Sequence, residues 1–234
     1  MNMPERFFRH PASIPIRNVF RKNQSFFPQL EIFKKTVIII NEDRSVIRSQ
    51  KAGQTMSSNP PEIVFSCPIF KLEKTWQIGR SGKKHTRYVI RHPGGVGILP
   101  ILPNGELLLI RQFRVAVGRF IYEIPAGMKE PGEDPLATAK RELKEETGYS
   151  AENWTVYPSF FASPGYLDEK LHLFLAENLT PGPDALEDGE NLSVFSGPLD
   201  KALKMIDSGE IEDGKTVGAI LRYALSLSLR EKRV

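Results

Sequence analysis

Three glutamates in the middle of the chain, Glu142, Glu145 and Glu146, stand at i, i+3 and i+4 of a segment that reads as a helix from near Pro135 to Gly148. That spacing places the carboxylates on one helix face, about one turn apart. Like charges so arranged repel by roughly a few tenths of a kcal/mol per pair, so folding alone does not select them. A divalent cation turns that repulsion into ligation, because Mg²⁺ takes hard oxygen ligands. A cation so held can also activate a water. The plainer reading is a solvated acidic face, and it fits most Glu-rich helices.

The surrounding residues argue for chemistry. Gly127 is followed after five residues by Glu133, and after seven more by Arg141-Glu142-Leu143. One residue then precedes Glu145-Glu146, and one more precedes Gly148 and the apolar Tyr149. All nine specified positions match the Nudix box, so the chain resembles the Nudix hydrolases, which cleave a nucleoside diphosphate linked to another group. The resemblance implies an α/β fold, an α/β/α sandwich with a mixed β-sheet, and a loop-helix-loop metal site. It also implies Glu142 and Glu146 as metal ligands, with the Ala126 carbonyl completing the inner shell. Glu145 would bind a further ion or position water, and two to three Mg²⁺ ions (Mn²⁺ is possible) would serve each site. Glu133 either touches metal or pairs with Arg141, whose planar guanidinium suits the orienting of carboxylates.

The flanks resemble the ADP-ribose pyrophosphatase subgroup. RQFR precedes the box, EIPAG enters it, SPGYLDEKLHLFLAENL follows it, and SGEIEDGKTVGAI lies near the end. Pro164 stands 15 residues beyond Tyr149, a spacing associated in that family with ADP-ribose. Leu167 departs from the pattern where a small serine is usual. The resemblance runs from about Phe70 to Leu225, and it implies a general base on an acidic loop holding Glu187, Asp188 and Glu190. Glu190 aligns best with that role, although any of these acids could simply solvate the loop. Substrate contacts are expected from Arg114, Arg111, Glu123, Pro164 and Gly165. A forked guanidinium suits phosphate oxygens, but strand positions 111 and 114 face opposite ways, and Arg114 is the preferred one. Phe70, Trp76 and Tyr88 could form an adenine platform together with Arg87, or could be ordinary core. In the resembling enzymes the segment carrying them is exchanged across a homodimer.

The elements that must position these groups follow from short-range patterns. Ile63–Phe65, Phe70–Trp76 and Thr86–Ile90 read as strands, the last two joined by the turn Gly79–Gly82, and together form a small antiparallel β subdomain at 59–92. Gly94–Leu102 reads as a buried strand with Glu106–Val115 as its partner, and FIYEIP leads into the box. Trp154–Phe161 and Leu171–Ala176 read as further strands, Pro181–Asn191 as a loop, and Leu199–Ser208 and Lys215–Arg230 as closing helices. The catalytic domain is expected to span 93–234. His92 and His172 have no ligand-spaced partner and read as structural.

Composition sets the wider limits. The charge of +4 divides unevenly, with +6 on residues 1–55 and −2 on residues 56–234. The part bearing the box has no basic stripe, which argues against mRNA decapping or another nucleic-acid partner. Residues 1–58 read as a basic extension: an Arg-rich organelle leader, an arm that docks, or a stretch outside the working protein, given the internal Met56. The single Cys67 excludes an internal disulfide and fits a reducing, cytoplasmic setting. No apolar run reaches the roughly 18 residues of a membrane span. The reading is a Mg²⁺-dependent ADP-ribose diphosphatase. Alternatives are a hydrolase of another nucleotide sugar such as GDP-mannose, a broad clean-up enzyme, or a Nudix-fold sensor that binds without cleaving.

Overall fold

The computed structural model describes residues 61–182 and 192–231. Three β-sheets and three helices make up this part. The first sheet is a meander of β1 (Glu62–Ser66), β2 (Lys71–Ile78) and β3 (Lys84–Arg91), all antiparallel. A turn closed by Gly79 N–H to Lys83 O joins β2 to β3.

The central sheet has the order β7-β4-β9-β8: Ala126–Met128, Gly95–Pro100, Lys170–Pro181 and Tyr149–Phe161. Strands β4 and β9 run parallel, whereas β4–β7 and β8–β9 are antiparallel, so the sheet is mixed. Every residue of β4 is buried, as a strand covered on both faces requires. Val96 and Ile98 point to one face, where they meet Ala139 and Leu143 of helix α1 (Pro135–Thr147) and Phe174 of β9. Leu99 points to the other, joining Leu173, Leu175, Met205 and Ile220. Each such side chain removed from water contributes about 1.5–3 kcal/mol. The second face is covered by α2 (Leu199–Asp207), α3 (Gly214–Glu231) and the sheet β10-β5-β6, formed by Leu192–Gly197, Leu107–Arg114 and Arg119–Glu123. Helices on both sides of the sheets give an α/β/α sandwich.

One strand expectation is corrected. The segment after Gly94 and the segment after Glu106 are not ladder partners; only the isolated bridge Ile101↔Leu107 joins them. The fully buried β4 needs neighbours on both edges, and β7 and β9 take those places, while β5 pairs with β6 and β10. Strands β7 and β10 carry no alternating pattern long enough to be read in advance. No helix among the described residues is long and apolar enough to cross a membrane.

Candidate active site

Local chemistry fixes helix α1 at both ends. Asp134 Oδ2 accepts the N–H groups of Leu136 (3.1 Å) and Ala137 (3.2 Å), and Pro135 opens the first turn. Gly148 closes the helix at φ 72°, a left-handed cap, and donates its N–H to Lys144 O. The face turned to the sheet runs Ala139, Leu143 and then Glu146, at i, i+4 and i+7. An apolar stripe thus ends in a carboxylate that is only 2% exposed. Burying such a charge is costly unless it is paired. Here the Ala126 N–H donates to Glu146 Oε2 at 2.8 Å, tying the helix to β7.

The neighbouring residue of β7 explains the glycine of the box. A Cβ on Gly127 would lie 1.9 Å from Glu142 Cδ, so only glycine lets that carboxylate rest against the strand. Arg141 gathers the other acids: its Nη1 lies 2.7 Å from Glu142 Oε1 and 2.9 Å from Glu145 Oε2, and its Nη2 lies 3.5 Å from Glu133 Oε2. Burial opposes the Arg141 charge, but the three carboxylates outweigh it and push its pKa up. Glu133 also accepts the Glu130 N–H at 3.1 Å, and this bond, foremost among several contacts including Arg141, holds its carboxyl below the usual range. Glu133 thus has the Arg141 contact that the pairing role requires.

These groups line a cleft of about 240 Å³, whose wall comprises Gln112, Arg114, Ala126, Gly127, Met128, Arg141, Glu142, Glu145 and Glu146. The charged donors are carboxylates with no sulfur or imidazole among them, a set that fits a hard divalent cation such as Mg²⁺. Among the described residues no three acidic, histidine or cysteine side chains stand grouped to hold an ion as they are. The guanidinium of Arg141 lies between Glu142 and Glu145 instead. The donor chemistry of these residues suits such a metal.

The two strand arginines part as their odd spacing requires. Arg114 lines the cleft, while Arg111 stacks on Phe120, 4.6 Å from the ring centroid. Glu123 lies behind Arg114, 1% exposed, and accepts Arg114 Nε at 2.6 Å and Nη2 at 2.8 Å. Lys215 Nζ at the start of α3 also donates to it. Burial pushes the Glu123 carboxyl up, and the two cations overcome that, leaving its pKa below the usual value.

The aromatic candidates lie outside the cleft. Trp76 carries Lys84 Nζ 3.6 Å from its ring centroid, Phe70 tilts against Phe65 at 5.9 Å, and Tyr88 is exposed on β3. Pro164 and Gly165 form a turn after β8, where Ser163 O accepts the N–H groups of Tyr166 and Leu167. This turn is zipped to the end of β3 through Ile90 N–H to Tyr166 O and Asp168 N–H to Ile90 O. Asp168 also accepts Arg91 Nη1 at 3.0 Å and the His92 N–H at 2.9 Å. His92 Nδ1 accepts the Gly94 N–H, and His172 is held below its ordinary pKa, by burial first and then by Lys129 and Lys170. Glu187, Asp188 and Glu190 lie outside the described residues. Gln112 was not foreseen, although the i, i+2 relation to Arg114 puts both on one strand face. Lys215 was not foreseen either, and it lies 92 residues from Glu123 in sequence.

Comparison with known proteins bears on this geometry. The NUDIX domain family model matches residues 91–222. An ADP-ribose pyrophosphatase of Bacillus subtilis is 41% identical over 155 residues, covering 65% of this chain and 84% of its own length. A methanol dehydrogenase activator of Bacillus methanolicus is 38% identical over 173 residues, covering 73% and 94%. A crystal structure of an ADP compounds hydrolase superposes with a TM-score of 0.66 at 23% identity, covering 76% of this chain and 95% of that one, and speaks for the fold.

Proposed function

The chain belongs to the NUDIX family, and on that premise we propose that it hydrolyses the diphosphate of ADP-ribose to AMP and ribose 5-phosphate with Mg²⁺. The observation that carries this reading is the Gly127 cradle, where Glu142 rests against β7 and Glu146 is buried beneath Ala126. Glu142, Glu145, Glu146 and the Ala126 carbonyl would hold two to three ions. When bound, these would offset phosphate charge and make water a better nucleophile. Within this reading water attacks one phosphorus, the bridging P–O bond breaks, and the bridging oxygen leaves on the other phosphate. Glu190 takes the water's proton, and Arg114 binds a phosphate oxygen. Arg141 keeps the acids of the helix in register until the site is loaded.

The ADP-ribose assignment draws on the flanking motifs and on the name of the relative that is 41% identical. A homodimer is part of the same proposal. It draws on the apolar side chains that β1 to β3 and their links leave exposed, Ile63, Val64, Phe65, Ile69 and Tyr88. Sedimentation giving a monomer at micromolar concentration would remove that part alone.

The test is phosphate release, with a coupled phosphatase, from ADP-ribose, ADP-glucose, GDP-mannose, NADH and diadenosine polyphosphates in Mg²⁺. ADP-ribose is expected to give the highest kcat/KM. A lead by another nucleotide sugar overturns the substrate and keeps the chemistry. Binding without turnover of any of them overturns the enzyme reading in favour of a sensor.

A further inference from the structure

The first turn of α3 reaches the back of the cleft through four charged groups. Glu123 is held by Arg114 on one side and by Lys215 on the other, and Lys215 Nζ lies 3.1 Å from Asp213 Oδ2. Lys215 and Glu123 are nearly closed to water, with side chains 11% and 1% exposed, whereas Arg114 is 38% exposed and faces the cleft. Two acids and two bases balance, so the group as a whole is neutral. Arg114 alone against Glu123 would also be neutral, but its charge would be cancelled by its own partner. A second cation behind the carboxylate takes up part of that field and leaves more of the Arg114 charge for the cleft. Arg114 is also close enough to Glu146 to feel its charge, so the group adjoins the acidic wall.

We propose that Lys215 is a positioning residue for Arg114, acting through Glu123, and that it sets the affinity of the cleft for an anionic substrate. The proposal rests on the reading that the cleft takes a diphosphate. Without Lys215, one Glu123 oxygen loses a buried cationic partner, and the cluster beside Glu142, Glu145 and Glu146 carries a net negative charge. Glu123 then bears on Arg114 alone and draws the guanidinium back from the cleft.

The local fold has separate supports. Asp213 Oδ2 accepts the Thr216 N–H at 3.0 Å and its hydroxyl at 2.6 Å, capping α3. Thr216 Oγ1 in turn accepts the Ile124 N–H at 2.8 Å. Lys215 Nζ shares the Asp213 Oδ2 acceptor, so replacing it removes one donor from that oxygen and leaves the two Thr216 donors and the Ile124 N–H to Thr216 bond in place.

The experiment compares Lys215→Gln and Lys215→Arg with the wild type in two ways: steady-state kinetics on ADP-ribose, and the Arg114 Nε–H resonance in ¹⁵N spectra without substrate. Lys215→Gln is expected to raise KM about 10- to 100-fold, the effect of losing a bond to a charged group, with kcat within about threefold. Lys215→Arg restores the charge and is expected to recover most of that loss. The Arg114 Nε–H signal is expected to shift or broaden in the Gln variant and return in the Arg variant. An unchanged KM with only a lower Tm overturns the proposal in favour of a purely structural pair. A raised KM with an unmoved Arg114 signal also overturns it. If the wild type does not cleave ADP-ribose, the substrate reading fails, and the Arg114 signal still decides the coupling.

Discussion

Gly127 and Glu142 are in such close approach that a side chain at position 127 must push the carboxylate aside: an added Cβ would lie 1.9 Å from the carboxyl carbon. The clash falls on the carboxylate itself, so the side chain that moves is the candidate metal ligand. Gly127→Ala is therefore expected to displace Glu142 by about 1 Å and lower kcat/KM about 100-fold, as misplacement on that scale does. The Mg²⁺ concentration for half-maximal rate should rise with it. Gly218→Ala in α3, where a Cβ meets nothing within 4 Å, is the control and should leave both unchanged. Normal metal dependence in Gly127→Ala would sink the cradle argument.

Glu146 ends the buried stripe of α1 and accepts the Ala126 N–H. Glutamine keeps that acceptor and the side-chain volume but removes the charge. Glu146→Gln should thus fold with a Tm close to the wild type and lose more than about 100-fold in rate, beyond what outer-shell partners of a metal contribute. Calorimetric unfolding alongside the assay separates the two. Wild-type-like turnover would remove Glu146 from the ligand set.

Much of this site could be read from the sequence because its signals are local. Asp134, Pro135 and Gly148 bound α1 within a single stretch, and the i, i+3, i+4 spacing alone sets Glu142, Glu145 and Glu146 on one face. The parity of 111 and 114 likewise separates two arginines that composition cannot distinguish. What escaped depends on tertiary neighbours. Strand β7 is three residues long and exists because β4 has an edge to be covered. The segments after Gly94 and Glu106 are adjacent in sequence and were expected to pair, as sequential strands often do; burial of β4 on both faces decided otherwise. The Glu123–Lys215 contact joins a strand end to a helix start, and no periodicity announces it.

Glu123 links stability to acidity. Its folded carboxyl titrates below the unfolded value, so in that window the native state binds fewer protons than the unfolded chain. Its contribution is complete above about pH 4.3, the unfolded value, and is lost as the pH falls through the lower folded value. Glu123→Gln leaves Arg114 and Lys215 without their buried anion and should cost about 3–5 kcal/mol at neutral pH. Urea unfolding from about pH 3 to pH 7 should show a shallower acid loss in the variant than in the wild type. Parallel acid limbs would mean that Glu123 titrates alike in the folded and the unfolded chain, and would remove the linkage.

Glu190 is the proposed base, and its test must separate proton transfer from metal binding. Glu190→Gln should lower kcat about 10²- to 10⁴-fold, the range for a positioned general base. Mn²⁺ affinity, measured by calorimetry or electron paramagnetic resonance, should be unchanged, because the proposed site holds its ions on the α1 carboxylates. The acid limb of the wild-type pH–rate profile should flatten in the variant, since the titrating group is gone. Glu187→Gln and Asp188→Asn share the charge loss without the role and should keep most of the rate. A deficit as large in either of them would move the base to that residue, and equal small losses in all three would leave the loop as a solvated acidic segment.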